Sequence, residues 1–467
     1  MIKNFLKIIV VSVLCLVISN IKAQNNYKVT FYIHEMDYDT IYIQSYCGSN
    51  TEIVDSIKIS KDGGFHWQAK DMPMGMYMAK SQKGDLFSFT LDKSKEFSAE
   101  IYPNGEFFVK GSPENDAYFL YQKENKQCQT AMYYYKLRAQ ASPDSADILK
   151  KEINAVIDSF TTFQRQFFAA YPENLISVVS DGMNQSAPSY FFENGKLKEG
   201  MQQEYQTYYR KHYWDKFHFN DIRVLYTPYF INQYNTYITE IANQQTDSVC
   251  VAIDEFIQKA DSKGGREYAD YVIAWYLDKF AAMPFSFNQI VYTYIVNKYL
   301  DRASGYLMPS VIEFHKQNVE KIKPFLPGNT LPNIRLLDFN GVAHSLYSLK
   351  NNYTVLYFFS SLCESCKKDL DDLKDFYKHF KQDYDVEIYS IDIEPDYAIC
   401  KARQEADPYP WIVTHATAEE LSKYNFNLDH TPQLFILDKN KKIINQTAIY
   451  KHVQRSIEND IYQKQNK

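Results

Sequence analysis

The sequence predicts a multidomain chain: an antiparallel β-sandwich, then an α-helical domain, then an α/β domain around a central sheet. Three observations carry this. From Tyr27 to about Lys110, apolar and polar residues alternate, as in half-buried strands. From Pro113 to Ile322, apolar residues recur at helical spacing. From Tyr353 onward, continuous apolar runs of strand length alternate with amphipathic helices, the pattern of a sheet covered on both faces. The predicted segments are 1–23, 24–112, 113–326 and 327–467.

Segment 1–23 has Lys3 and Lys7, a short apolar stretch to Ile18, and Ala23 at a cleavage point. This is the pattern of a secretory signal peptide, and its apolar core is short for a bilayer span. Cleavage after Ala23 and export, to the periplasm of a bacterium, are expected. Bulky Leu14 argues against lipidation at Cys15, and membrane association is not predicted. The chain has 467 residues and a net charge of −6, with 51 basic and 57 acidic side chains. That balance, without a basic stripe, excludes a nucleic-acid partner. The 40 tyrosines and 31 phenylalanines read as large cores with half-buried tyrosines.

In 24–112, the runs "TIYIQSY", "GMYMAKS", "LFSFTLD" and "FSAEIY" are separated by turn signals such as Asp62-Gly63-Gly64 and Pro103-Asn104-Gly105. Short strands so punctuated predict the sandwich. Ser112 then offers a helix cap, Pro113 fits the first helical position, and Glu114 and Asp116 favour the positive end. The clearest helix runs from Ala146 to Ala170, with Leu149, Ile153, Val156, Phe160, Phe163 and Phe167 on one stripe. Such a stripe reads as core. His212 and His218 lack metal-ligand spacing, and no catalytic constellation is read in 113–326.

Pro324, Pro327, Gly328 and Pro332 mark the next boundary. A hairpin is predicted around Asp338–Gly341, then a buried strand "YTVLYFFS", a helix from Glu364 to Phe380 and a second buried strand "VEIYSIDI". A helix with Pro395 in its first turn, a hairpin turning at Asp438–Lys442 and a last helix near 451–463 complete the pattern.

The chemistry sits in "FFSSLCESCKKD", Phe358 to Asp369. Cys363 falls where a buried strand hands over to a helix, and Cys366 lies one turn further on. Unsatisfied N–H groups and the helix dipole favour negative charge at that point. Thiolate is the reactive form, and a helix start lowers its pKa. Cys363 can then attack a disulfide, and Cys366 can resolve the mixed disulfide. Zinc would need two more ligands, and no second close pair exists. A static disulfide across so tight a ring would stabilise little. Cys47, Cys128, Cys250 and Cys400 are scattered singly and read as small hydrophobes. Thr431-Pro432 stands directly before the strand "QLFILD", a place where cis bonds occur.

On "PGNTLPNIRLLDFNG", "YTVLYFFSSLCESCKKDL" and "HTPQLFILDKNKKII", region 327–467 resembles the thioredoxin superfamily, specifically the exported TlpA/ResA-like thiol–disulfide oxidoreductases. The resemblance implies a thioredoxin-like fold, a nucleophile at Cys363 and a resolving thiol at Cys366. It further implies a cis Pro432 beside the pair, a Thr431 backbone that aligns substrate, and Asp369 as a tuning carboxylate. A protein disulfide as substrate and an upstream membrane thiol donor are implied as partners, with no cofactor. The upstream regions resemble uncharacterised β-sandwich and helical domains that precede the redoxin domain in many exported bacterial proteins. Three positions depart from the pattern: Leu362 for Trp, Ser365 for Pro, and Tyr357 for a buried Asp. Glu364 places negative charge beside Cys363 and is expected to raise its pKa, which predicts a reductant rather than a strong oxidant. Two rival readings stand beside this one. One is a Cu(I)-handling, Sco-like site of Cys363, Cys366 and His430; the other is a binding module with a vestigial redoxin domain.

Overall fold

The computed structural model describes residues 25–465, except 36–37, 49, 105, 142–145, 184–186, 194–195, 242–244, 304–306, 427 and 429–430. The expected signal peptide, Cys15 and His430 lie outside the described residues. The chain packs as two units, parting between Ala269 and Asp270.

In the first unit, β1 (Tyr27–Ile33), β2 (Thr40–Cys47), β3 (Asn50–Lys58), β4 (Gly64–Ala69), β5 (Gly75–Ser81), β6 (Gly84–Leu91), β7 (Glu96–Ile101) and β8 (Phe107–Lys110) form two four-stranded sheets. Their orders are β4-β1-β7-β8 and β3-β2-β5-β6. Alternation decides the faces: Val29 and Phe31 are buried while Lys28 between them is exposed. Phe31 and Trp67 from one sheet meet Ile43 and Phe89 from the other in a single core. One sheet is not purely antiparallel as expected, because β1 pairs with β7 in parallel. Period-two alternation fixes the face a side chain occupies but says nothing of strand direction.

Helix α1 (Pro113–Ala141) begins as its sequence requires, with the Asn115 N–H donating to Ser112 Oγ at 3.2 Å. The stripe of α2 (Ala146–Ala170) packs Phe160, Phe163 and Phe167 around Tyr121 of α1. His212 and His218 each pair with a surface carboxylate, Asp215 at 2.6 Å and Asp181 at 2.8 Å.

The second unit differs from the predicted segmentation. The units part inside the helix Arg266–Phe280 rather than near 326. Helices α3 (Ser286–Ala303) and α4 (Pro309–Ile322) therefore belong with the α/β domain. The Gln446 N–H donates to Ser286 Oγ at 2.7 Å, and Phe325 enters the same core as Phe358 and Phe435. The proline-rich stretch ends a helix but does not interrupt packing.

The hairpin of β9 (Arg335–Leu337) and β10 (Ala343–Ser345) turns on Asp338, whose Oδ1 accepts from the N–H of Asn340 and Val342 at 2.8 and 2.9 Å. Gly341 supplies the positive φ of 80° that this turn needs. Next come β11 (Tyr353–Phe359), α5 (Glu364–Tyr384), β12 (Val386–Asp392), α6 (Tyr397–Ala406), β13 (Ile412–His415), α7 (Ala418–Ser422), β14 (Gln433–Asp438), β15 (Ile443–Thr447) and α8 (Lys451–Gln465). The sheet order is β13-β12-β11-β14-β15. Strands β11, β12 and β13 run parallel, and β14 and β15 antiparallel. Every residue of central β11 is buried. Val355, Tyr357 and Phe359 join one core, with Leu370 and Leu373 of α5 and Val453 and Ile457 of α8. Leu356 and Phe358 face the opposite core. Pro395 lies before Asp396, the residue that caps α6, and so stands outside its first turn. Strand β13 and helix α7 were not anticipated, although "WIVTHA" carries the β-branched residues of a short strand.

Candidate active site

The site is built where β11 ends. The chain leaves Phe359, crosses Ser360 to Leu362, and enters α5 with Cys363 as its N-cap. The Cys366 N–H donates to Cys363 Sγ at 3.3 Å, and Ser365 Oγ lies 3.0 Å from the same sulfur. The Cys363 thiol reaches the Thr431 carbonyl at 3.9 Å, and the Thr431–Pro432 peptide bond is cis. Cys363 is half-buried, whereas Cys366 has no exposed surface. Both are free thiols, as are the other four cysteines among the described residues; Cys250 and Cys400 are buried, and Cys47 and Cys128 half-buried.

The environments separate the two thiols electrically. Burial pushes the Cys363 thiol up, but hydrogen bonds from Cys366, Ser365 and Thr431 outweigh it and hold the group below the ordinary thiol value. Burial, reinforced by the Cys363 sulfur, pushes Cys366 up to about 12. The pair thus joins one accessible, ionisable sulfur to one hidden, protonated sulfur. Asp369 is held above the usual carboxylate range by burial and then by Asp372, against Lys368 and Lys451. Glu364 does not act as expected. Its side chain is 87% exposed and pairs with Lys367 at 3.6 Å, so solvent and the ammonium screen it. The net shift of Cys363 is downward.

With this geometry in hand, the sequence relationships are informative. Residues 327–446 match the AhpC/TSA family. A stretch of 91 residues is 32% identical to the thiol-disulfide oxidoreductase ResA of Bacillus subtilis (strain 168), covering 20% of this chain and 47% of ResA. The C-terminal domain is therefore similar to the AhpC/TSA family and to ResA. The chain spans about half the length of that curated relative. A thioredoxin-like protein from Bacteroides caccae is similar at 19% identity and a TM-score of 0.46, over 58% of this chain and 96% of that one. A domain of a possible thiol-disulfide isomerase from Cytophaga hutchinsonii is similar at 23% identity and a TM-score of 0.28, over 30% of this chain and 97% of that one. The assignment rests on the family match and ResA. Residues 199–317 match a domain of unknown function, DUF5106.

The redoxin domain brings Cys363, Cys366, Ser365, Thr431 and Pro432 together and leaves Glu364 in solvent. Leu362, in the place of the expected tryptophan, is 61% exposed. Among the described residues no group of three or more His, Cys, Asp or Glu could hold a metal. No helix among them is long and apolar enough to cross a membrane.

The polar anchor under the redox loop is absent from the sequence reading. Asp392, at the end of β12, is almost wholly buried. It accepts from the N–H of Ser361 and of Glu394, each at 3.1 Å, and from the Ser361 hydroxyl. Arg403 of α6 donates to the Ser361 carbonyl. The Ser360 hydroxyl donates to Glu394 at 2.8 Å, and the Leu362 N–H to Ser360 Oγ at 3.2 Å. Ser361 is therefore tied to the sheet end and to α6, Ser360 to Glu394 just beyond the sheet end, and Leu362 to Ser360. Only the strand-terminal position of Asp392 hinted at this, because its loop partner, Ser361, lies 31 residues away. Asp392→Ala strands those donors and should cost about 2–4 kcal/mol of stability, read by urea unfolding. The variant should also slow Cys363 alkylation, because the loop loses its anchor.

Proposed function

We propose that the protein is an exported thiol–disulfide oxidoreductase that reduces protein disulfides through Cys363 and Cys366. The observation that carries this is the asymmetry of the pair. Cys363 is reachable, caps a helix and is held below the ordinary thiol value, while Cys366 is buried and pushed up to about 12. The Cys363 thiolate attacks a substrate disulfide and one substrate thiol leaves. Cys366 then attacks the Cys363 sulfur and expels the second substrate thiol. Two electrons pass to the substrate, and a membrane thiol donor on the exporting side restores the dithiol. The Thr431 carbonyl, 3.9 Å from Cys363 Sγ, lies where an extended substrate backbone can pair. Asp369, half-buried and one turn beyond Cys366, is the carboxylate that tunes the pair.

The donors that hold the Cys363 thiolate are neutral, namely the Ser365 and Thr431 side chains and the Cys366 groups. Strong oxidants owe their high potential to a far more stabilised thiolate. The expected potential, by equilibration with glutathione, lies nearer to about −270 mV than to about −120 mV. A value at the oxidant end rejects the reductant direction. Catalysed reduction of insulin by dithiothreitol tests the activity itself, and no acceleration over the uncatalysed rate rejects it.

A further inference from the structure

Tyr357 is wholly buried. Alternation along β11 places it in the core that holds Cys366, Leu370 and Leu373, with Cys363 packed against that core. Its ring stacks on Phe359 with centroids 5.6 Å apart. The phenol oxygen is buried and has no hydrogen-bond partner among the described residues. An unmatched buried hydroxyl costs about 1–3 kcal/mol, and phenylalanine would fill the same space without that cost. Burial foremost, then the sulfur of Cys366, the Asp369 carboxyl, the sulfur of Cys363 and Tyr409, push the phenol far up. The side chain therefore stays neutral, and an unpaired O–H dipole lies in the core that Cys366 occupies.

A neutral O–H serves a neighbour that turns negative. Cys366 is such a group, since it is a thiol at rest and must act as thiolate to expel substrate from Cys363. We propose that Tyr357 assists this resolving step, its unpaired hydroxyl turning to donate to the Cys366 sulfur as negative charge develops there. The inference rests on the redox-pair reading above. In the step, the Cys366–Cys363 sulfur bond forms and the bond from Cys363 to the substrate sulfur breaks. The electron pair leaves on the substrate thiolate, which ends with the proton that Cys366 gives up. Tyr357 keeps its own proton throughout. A donor that turns to a buried thiolate favours the charged form, which lowers the barrier that burial imposes on Cys366.

The reduced protein reacting with 5,5′-dithiobis(2-nitrobenzoate) separates the two steps. The first thionitrobenzoate is released by Cys363, and the second when Cys366 resolves the mixed disulfide. In Tyr357→Phe the first phase should stay within about twofold, while the second slows by about ten- to a hundredfold, the size of one hydrogen bond to a charged group. The pH for half-maximal second-phase rate should move upward. The titratable groups facing Cys366 are Cys363 and Tyr357, with hydrogen bonds from Ser360 and Thr431 beside them; Asp369, acted on by Lys368, Asp372 and, from α8, Lys451, acts on Tyr357. Thermal stability should hold or rise. Unchanged phases in a protein at least as stable as wild type would overturn the inference, leaving the hydroxyl a buried group without a task. Release of a single equivalent by the protein with Cys47 and Cys128 replaced by serine, or a second phase that survives Cys366→Ser in that background, would instead reject the redox-pair reading and the inference with it.

Discussion

Cys363→Ser is expected to lower insulin reduction by about 10³-fold or more, to the uncatalysed rate, while leaving the fold intact. A serine hydroxyl is not ionised near neutral pH, so the attacking species disappears. Serine is also a favoured N-cap, and its oxygen can take over the acceptor role toward the Cys366 N–H, now at 3.3 Å from sulfur. The loss therefore reports chemistry rather than unfolding, which a thermal melt checks. The pH dependence of the wild-type protein supplies a second reading. The thiolate is the reactive form, and the hydrogen bonds at Cys363 hold its pKa below the ordinary thiol value. The rate of iodoacetamide alkylation at Cys363 should rise with pH and reach half its maximum below that value. A midpoint at or above it would show that Ser365 and the Cys366 N–H do not stabilise the thiolate. Full activity in Cys363→Ser would end the enzymatic reading and leave a binding module.

Cys366→Ser should divide attack from resolution. Cys363 keeps its helix-start position and its donors, so the first attack on a disulfide should stay within about tenfold of wild type. Turnover should stop, because no second sulfur can displace the trapped substrate. Mixed disulfides should accumulate and be released by dithiothreitol, and mass spectrometry of the trapped species names the physiological substrate. Burial holds the Cys366 thiol up at about 12, which keeps it protonated until a mixed disulfide forms next to it. If the variant turned over at the wild-type rate, Cys366 would not be the resolving thiol.

Much of this site was legible in the chain. The buried run Tyr353–Phe359, the helix-forming residues after Cys363 and the proline before "QLFILD" are local signals, and local signals survive in one dimension. Asp392 was not legible, since an acidic residue at a strand end is common and two of its three donors, the Ser361 N–H and hydroxyl, come from 31 residues away in the chain. Glu364 was misread for a related reason. Adjacency to Cys363 in sequence suggested a charge that raises its pKa, but on the helix the carboxylate points to solvent and meets Lys367. The division at Asp270 escaped as well, because the composition shift near Pro324 marks where a helix stops, not where packing stops.

The sequence by itself determined the order of strands and helices in the redoxin domain, β13 and α7 apart, and the placing of two cysteines at a helix start. Those properties follow from side-chain periodicity and backbone preferences within a few residues. Tertiary structure alone decided that β1 runs parallel to β7, that Asp392 anchors the loop, and that one thiol is hidden while its neighbour is reachable. Strand direction, burial and electrostatic environment depend on groups far apart in the chain, and only the folded arrangement brings those groups into range of one another.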